Sequence, residues 1–180
     1  MTADVAADSS WVRDHIRAIA DYPKQGVTFR DITPLLGNPA AFGRAVDDLV
    51  TRFHDVPEID RVVGIEARGF ILAAPVAYRL RAGFVPIRKA GKLPWAVARE
   101  AYDLEYGTDK LEIHRDAIRP SEKILIVDDV LATGGTAEAT AKLVETLGGI
   151  IVGVGFLLEL HDLMGRTRLG EYRVESLTTY

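Results

Sequence analysis

A chain of 180 residues, 48% hydrophobic and 27% charged, is long enough for one domain with a full core, and its balance calls for neither disorder nor a coiled coil. A net charge of −4 argues against a broad nucleic-acid face, which needs clustered Lys and Arg, and the lack of cysteine excludes disulfides and thiolate metal sites. No apolar stretch approaches the roughly 20 residues that a membrane span requires.

Met1–Ser10 is small and polar, a loose tail without the basic and apolar regions of a secretory signal, so a cytoplasmic protein is expected. Trp11–Ala20 carries Val12, Ile16 and Ile19 at helical spacing, with Ser10 as its N-cap. Asp21–Pro39 holds Pro, Gly and Asn and reads as irregular. Ala40–Phe53 is an amphipathic helix with Phe42, Val46, Leu49 and Phe53 on one side. Arg61–Ile65 is a short apolar strand, Phe70–Arg81 a helix despite Pro75, with Gly83 as its stop, and Phe84–Arg88 a further strand.

Between Arg88 and Lys123 no helix is evident, and a connection of that length is usually functional. Tyr102, Leu104 and Tyr106 alternate, Gly107–Lys110 forms a turn, and Leu111 and Ile113 follow. That pattern predicts a β-hairpin standing off the core, a lid within a flexible stretch 89–122. Lys123–Val127 is apolar throughout, as a strand buried on both faces should be. Thr136–Leu147 is a helix with Ala137, Ala141, Val144 and Leu147 on one stripe, ended by Gly148 and Gly149, and Ile150–Leu158 is the next strand. The fold class is therefore α/β, a mainly parallel sheet with flanking helices, and residues 1–180 form a single domain.

The chemistry concentrates in Ile124–Thr136. A buried strand delivers Asp128 and Asp129 to its carboxyl end, where open α/β sheets bind ligands. Val130, Leu131, Ala132, Thr133, Gly134, Gly135 and Thr136 then lead into a helix, whose N-terminus offers free N–H groups and partial positive charge. The two glycines let the backbone curl around a phosphate, and Thr133 and Thr136 add hydroxyls. Two acids repel phosphate, so they suit sugar hydroxyls instead. The segment asks for a ligand with phosphate at one end and a diol beside it, as in ribose 5-phosphate. Gly-Gly alone would mark only a tight turn; the preceding acid pair changes that balance. Neither the P-loop spacing nor a dinucleotide fingerprint is present.

This segment resembles the phosphoribosyl-diphosphate motif of the type I phosphoribosyltransferases. Gly26–Pro34, Gly64–Phe70, Arg88–Pro94 and Leu104–Gly107 narrow the resemblance to the adenine-using branch of that family, over a length from about Trp11 to near the C-terminus. The resemblance implies a type I phosphoribosyltransferase fold with a small N-terminal hood and a hairpin lid. It implies that Ala132–Thr136 hold the 5-phosphate, that Asp128 and Asp129 hold the ribose, and that Arg68, Arg88 and Lys92 face the pyrophosphate leaving group. Phe29 would stack on adenine while the backbone of Val27, Thr28, Phe29 and Arg30 reads its edge. Glu105 would assist the purine proton, and Tyr106 would order the closed lid. Trp95 and Ala96 depart from the family pattern.

The expected reaction joins adenine to phosphoribosyl diphosphate, giving AMP and diphosphate in purine salvage. Pyrophosphate implies Mg²⁺ as cofactor, held by ligand oxygens and water rather than by a protein cage, since the histidines and carboxylates show no metal-ligand spacing. A homodimer is implied as well. Three rivals remain open at this point: a transferase for hypoxanthine, guanine or xanthine, a non-catalytic regulator of the same fold that senses the same ligand, and, more remotely, a diphosphokinase-like relative without transferase activity.

Overall fold

The structure, a computed structural model, describes residues 10–103, 108–170 and 172–180. Nine strands and five α-helices alternate along the described chain. The main sheet has the order β5-β6-β4-β3-β7-β8-β9, and β1 and β2 form a separate ribbon. At the sheet's centre lie β3 (Arg61–Ile65), β4 (Gly83–Lys89) and β7 (Lys123–Leu131), mutually parallel, with Val63 opposite both Val85 and Ile126. The parallel array continues through β8 (Ile150–Glu159) and β9 (Val174–Thr179).

Two apolar layers sandwich this sheet. On one face, α3 (Pro39–Arg52) and α4 (Arg68–Leu80) pack Leu49, Leu72 and Val76 against Val62, Leu125 and Val127. On the other, α5 (Gly135–Thr146) packs Ala137, Ala141 and Val144 against Val63, Ile124 and Ile126. The central strands are thus buried on both sides, which is why Lys123–Val127 carries no alternation. The chain leaves β3 through α4 to reach β4 on one side, while β7 joins β3 on the other. At such a switch point the connections after β3 and β7 diverge and leave a crevice at the strands' carboxyl ends.

Several expectations need correction. The helix foreseen over Trp11–Ala20 is only α1, Ser10–Asp14. Residues beyond it form β1 (Arg17–Ile19), which pairs antiparallel with β2 (Phe29–Asp31), Ile19 facing Phe29. A non-local pairing has overridden a short helical period. The region expected to be irregular also holds α2 (Thr33–Gly37), and Asn38 caps α3 by accepting from the N–H groups of Ala40 and Ala41, both at 3.1 Å. Arg81, not Gly83, is the left-handed stop of α4. Gly83 begins β4, and a Cβ there would lie 2.4 Å from the Arg61 side chain.

The hairpin is present as β5 (Val97–Asp103) and β6 (Thr108–His114), but it does not stand off the core. Strand β6 pairs with β4, Arg88 opposite Glu112 and Lys89 opposite Leu111, and Leu111, Ile113 and Ile118 are buried. The hairpin is therefore the edge of the main sheet. Strand β9 was not foreseen: only Leu177 and Thr178 in it are buried, too little for a visible pattern.

Candidate active site

Strand β7 runs four residues past its expected end, so Asp128 and Asp129 belong to the sheet rather than to a loop. Asp128 Oδ1 accepts the Asp129 N–H at 2.9 Å. Gly69, at the start of α4, lies so close that a Cβ there would be 2.5 Å from that same oxygen. Burial pushes the Asp128 carboxyl well above the ordinary range, and the charge of Asp129 adds to it. Burial also raises Asp129, partly offset by Arg68. The Arg68 Nε lies 2.9 Å from Asp129 Oδ2 but is not aligned with it, so among the described residues this buried oxygen has no hydrogen-bond partner. An orphaned buried acceptor in a cleft is a place for a ligand hydroxyl.

Beyond the acids the chain turns at Gly134, with φ 82°, and enters α5 without a side-chain cap. The helix's leading N–H groups are thus left for an anion. The turn is backed closely: a Cβ on Gly134 would lie 2.4 Å from the Gly165 carbonyl, and one on Gly165 would lie 2.2 Å from the Ala132 carbonyl. The 3₁₀ segment Gly165–Leu169 therefore fixes the loop from behind. Thr133 is exposed at its crest.

The facing wall comes from the turn after β3, where the Glu66–Ala67 peptide is cis. Glu66 gathers the cations of the β4 end. Its Oε2 lies 3.3 Å from Arg88 Nε and accepts the Lys89 N–H at 3.0 Å, and its Oε1 meets Lys92 Nζ at 2.5 Å. Burial alone would raise the Glu66 carboxyl, but Lys92, the Lys89 N–H and Arg88 together hold it low. Lys89 Nζ turns the other way, to Asp109 at 3.0 Å, which raises the lysine and lowers the aspartate.

A cleft of about 260 Å³ opens between the walls, lined by Glu66, Ala67, Arg68, Lys89, Tyr102, Leu111, Asp128, Asp129, Val130, Ala132 and Thr136. The structure thus brings Arg68, Asp128, Asp129, Ala132 and Thr136 together. Arg88 and Lys92 reach the cleft through Glu66 rather than lining it. Glu66, Lys89 and Tyr102 escaped the sequence assignment. Lys89 had a signal, since it sits inside the Arg88–Lys92 cationic run; Tyr102 had only its place in the hairpin alternation.

Val27, Thr28, Phe29 and Arg30 do not line this cleft; the ribbon β1–β2 meets its wall through Arg68. The Phe29 ring centroid is 5.3 Å from the Arg68 guanidinium carbon and makes an edge contact with Tyr22, also at 5.3 Å. The Val27 carbonyl accepts the Tyr22 N–H and its N–H donates to the Lys24 carbonyl, so only the carbonyl's second lone pair remains for a base. Glu105 and Tyr106 lie outside the described residues.

The sequence matches the phosphoribosyl transferase domain family over residues 36–178. It is 52% identical to an adenine phosphoribosyltransferase of Ruminiclostridium cellulolyticum, across 94% of this chain and 99% of that one. The chain belongs to the adenine phosphoribosyltransferase family. The structure of the family member from Thermoanaerobacter pseudethanolicus superposes with a TM-score of 0.92 at 48% identity, covering 96% of this chain and 99% of that one. The adenine phosphoribosyltransferase of Saccharomyces cerevisiae, complexed with an imino-altritol bisphosphate and adenine, gives 0.89 at 38% identity, over 94% of this chain and 97% of that one. The α/β fold expected from the resemblance is thus the family's fold.

Proposed function

We propose that the protein joins adenine to phosphoribosyl diphosphate, forming AMP and releasing diphosphate, in purine salvage. The observation that carries this reading is the acid pair at the end of β7, ion-paired to Arg68 and with one oxygen that takes no hydrogen bond among the described residues, beside an uncapped helix N-terminus. Ala132–Thr136 hold the 5-phosphate, with α5's leading N–H groups and the threonine hydroxyls as donors. Asp128 and Asp129 accept from the ribose hydroxyls. Arg68, Arg88 and Lys92 neutralise the departing diphosphate, for which the two Glu66-bound cations exchange a carboxylate for a phosphate partner. Phe29 covers the purine, and the Val27–Arg30 backbone reads its edge. A fixed carbonyl there favours the amino group of adenine over the carbonyl of hypoxanthine.

As the purine nitrogen bonds to the sugar carbon and the diphosphate leaves, Glu105 takes up the purine proton and Tyr106 helps the hairpin exclude water. Exclusion matters because the sugar passes through an oxocarbenium-like state that water would capture. Mg²⁺, where bound, would be held by the diphosphate's oxygens and by water rather than by a protein cage. Among the described residues no group of three or more His, Asp or Glu could hold a metal, while the Asp129 oxygen left without a hydrogen bond would suit a water of the ion's shell. When bound, Mg²⁺ screens the charge of the leaving group.

We further propose a cytoplasmic homodimer. The lack of cysteine leaves the fold independent of an oxidising compartment. Ile71 and Tyr78 on α4 and Phe84 on β4 leave apolar area exposed, Tyr78 to 83%, which a second copy would cover. Light scattering reads this state directly. The central test is incubation of labelled adenine with phosphoribosyl diphosphate and Mg²⁺. Labelled AMP is the expected product, preferred over the products of hypoxanthine, guanine and xanthine in competition. No product from any purine base would overturn the reading.

A further inference from the structure

The ribbon that carries Phe29 has two sides. Successive side chains of a strand leave it in opposite directions, so Phe29 and Arg30 of β2 diverge. Phe29 takes the cleft side, against Arg68. Arg30 takes the rear, where its guanidinium carbon sits 3.9 Å from the centroid of the Tyr180 ring. That distance is well inside the ~6 Å reach of a cation–π contact, and a guanidinium stacked on an aromatic face is held in orientation as well as position.

Tyr180 is itself pinned. Its N–H donates to the Glu159 carbonyl at 2.8 Å and its carbonyl accepts the His161 N–H at 2.9 Å. The backbone that carries the ring is therefore tied to the main sheet just past β9. Arg13 of α1 flanks the same ring at 5.2 Å. Its Nε donates to Thr178 Oγ1 at 3.0 Å, and it also donates to the Thr179 carbonyl. Two arginines from the N-terminal segment thus converge on one aromatic residue at the far end of the chain, 150 positions from Arg30 by number.

We infer that Tyr180 is a positioning residue for base selection: its ring, anchored to the sheet, sets Arg30 and thereby the depth at which Phe29 and the Val27–Arg30 backbone meet the purine. This rests on the assignment of the ribbon to the base. A leucine would keep an apolar side chain at the site without orienting a guanidinium, whereas a phenylalanine would keep the ring face.

Steady-state kinetics of Tyr180→Ala, Tyr180→Leu and Tyr180→Phe test the inference. For the Ala and Leu variants the KM for adenine rises roughly 2–30-fold, the range a cation–π contact carries between exposed and desolvated sites. The preference for adenine over hypoxanthine narrows, while kcat and the KM for phosphoribosyl diphosphate stay within about twofold. Tyr180→Phe keeps wild-type values. The inference is overturned if Tyr180→Leu behaves as wild type, which would make the contact mere packing. It is equally overturned if both KM values rise together with a loss of thermal stability in every variant. Wild-type protein inert toward adenine would instead sink the base assignment, and this inference with it. Active wild-type with a silent Tyr180→Ala would sink the inference alone.

Discussion

The strand end bearing Asp128 and Asp129 and the ribbon bearing Phe29 both meet Arg68, yet the first is set in the core and the second is not. Strand β7 lies between β3 and β8, with apolar layers on both faces, and its loop is backed within contact distance by Gly165. The ribbon has two strands of three residues each, and no side chain of β2 is fully buried. It is held by rings and cations: Tyr22 and Arg68 on Phe29, and Tyr180 on Arg30. Packing enforces the phosphate side, so substitutions there report on fold and function together. Side-chain contacts at the periphery place the base side, so substitutions there report on function alone.

Gly134→Ala should show the largest effect. The left-handed φ and the 2.4 Å approach of its new Cβ to the Gly165 carbonyl both oppose the change. A cost of about 3 kcal/mol follows from strain of this kind, lowering the Tm by roughly 6–12 °C. Activity should fall by ~100-fold, since even an ångström of misplacement has that cost. Calorimetry and initial rates check both. A variant that keeps its Tm and loses only activity would mean that the loop is not braced by the 3₁₀ segment behind it.

Arg68→Ala comes next, because Arg68 is the residue that touches both sides, ion-paired to Asp129 and set over Phe29. Expected is a ~100-fold loss in kcat/KM, typical of removing one charge-stabilising group, with the KM of both substrates raised. If only the phosphoribosyl diphosphate KM moved, the contact with Phe29 would carry no function. Phe29→Ala is the pure base-side change. Loss of one stacking face should raise the KM for adenine by ~10-fold while the Tm stays within about 2 °C, as for a partly buried residue outside the core. A fall in Tm like that of Gly134→Ala would erase the distinction between the two sides.

The same distinction explains what could be read from the sequence. The phosphate side is written in consecutive residues: Ile124–Thr136 contains the strand, the acids, the turn and the helix start, so local pattern suffices. The cationic run Arg88–Lys92 is local in the same way. Glu66, where Arg88 and Lys92 converge, stands 22 and 26 residues away from them, and nothing in its neighbourhood announces the meeting. Strand β1 lies in a stretch that reads as helix, because Val12, Ile16 and Ile19 keep helical spacing, and β2 lies in one that reads as irregular; the pairing of Ile19 with Phe29 spans a turn that no periodicity encodes. The hairpin's alternation was visible, but its union with the sheet depends on β4 meeting β6, again a non-local fact.

The subtlest expectation concerns the acids themselves. Burial raises Asp128, and the charge of Asp129 raises it further, so the empty protein carries a carboxylate its surroundings disfavour. A folded-state pKa above the unfolded one means that folding holds the proton more tightly. That stabilisation is present below the unfolded pKa and is lost as pH rises through the folded one. Asp128→Asn removes the charge while keeping an oxygen to accept the Asp129 N–H. Asp128 is partly exposed in the cleft, so at pH 8 the variant should be more stable than the parent by on the order of 1 kcal/mol, as a partly desolvated charge gives way to a neutral group. The gap should close as pH falls toward the ordinary carboxylate range, while transfer activity is lost at every pH. Thermal melts of both proteins across pH 4.5–8, taken without ligand, measure the crossing. Equal melts at every pH would mean that Asp128 is no more strained than a surface acid, and the ribose would then meet a carboxylate that is merely available rather than one held ready by the core.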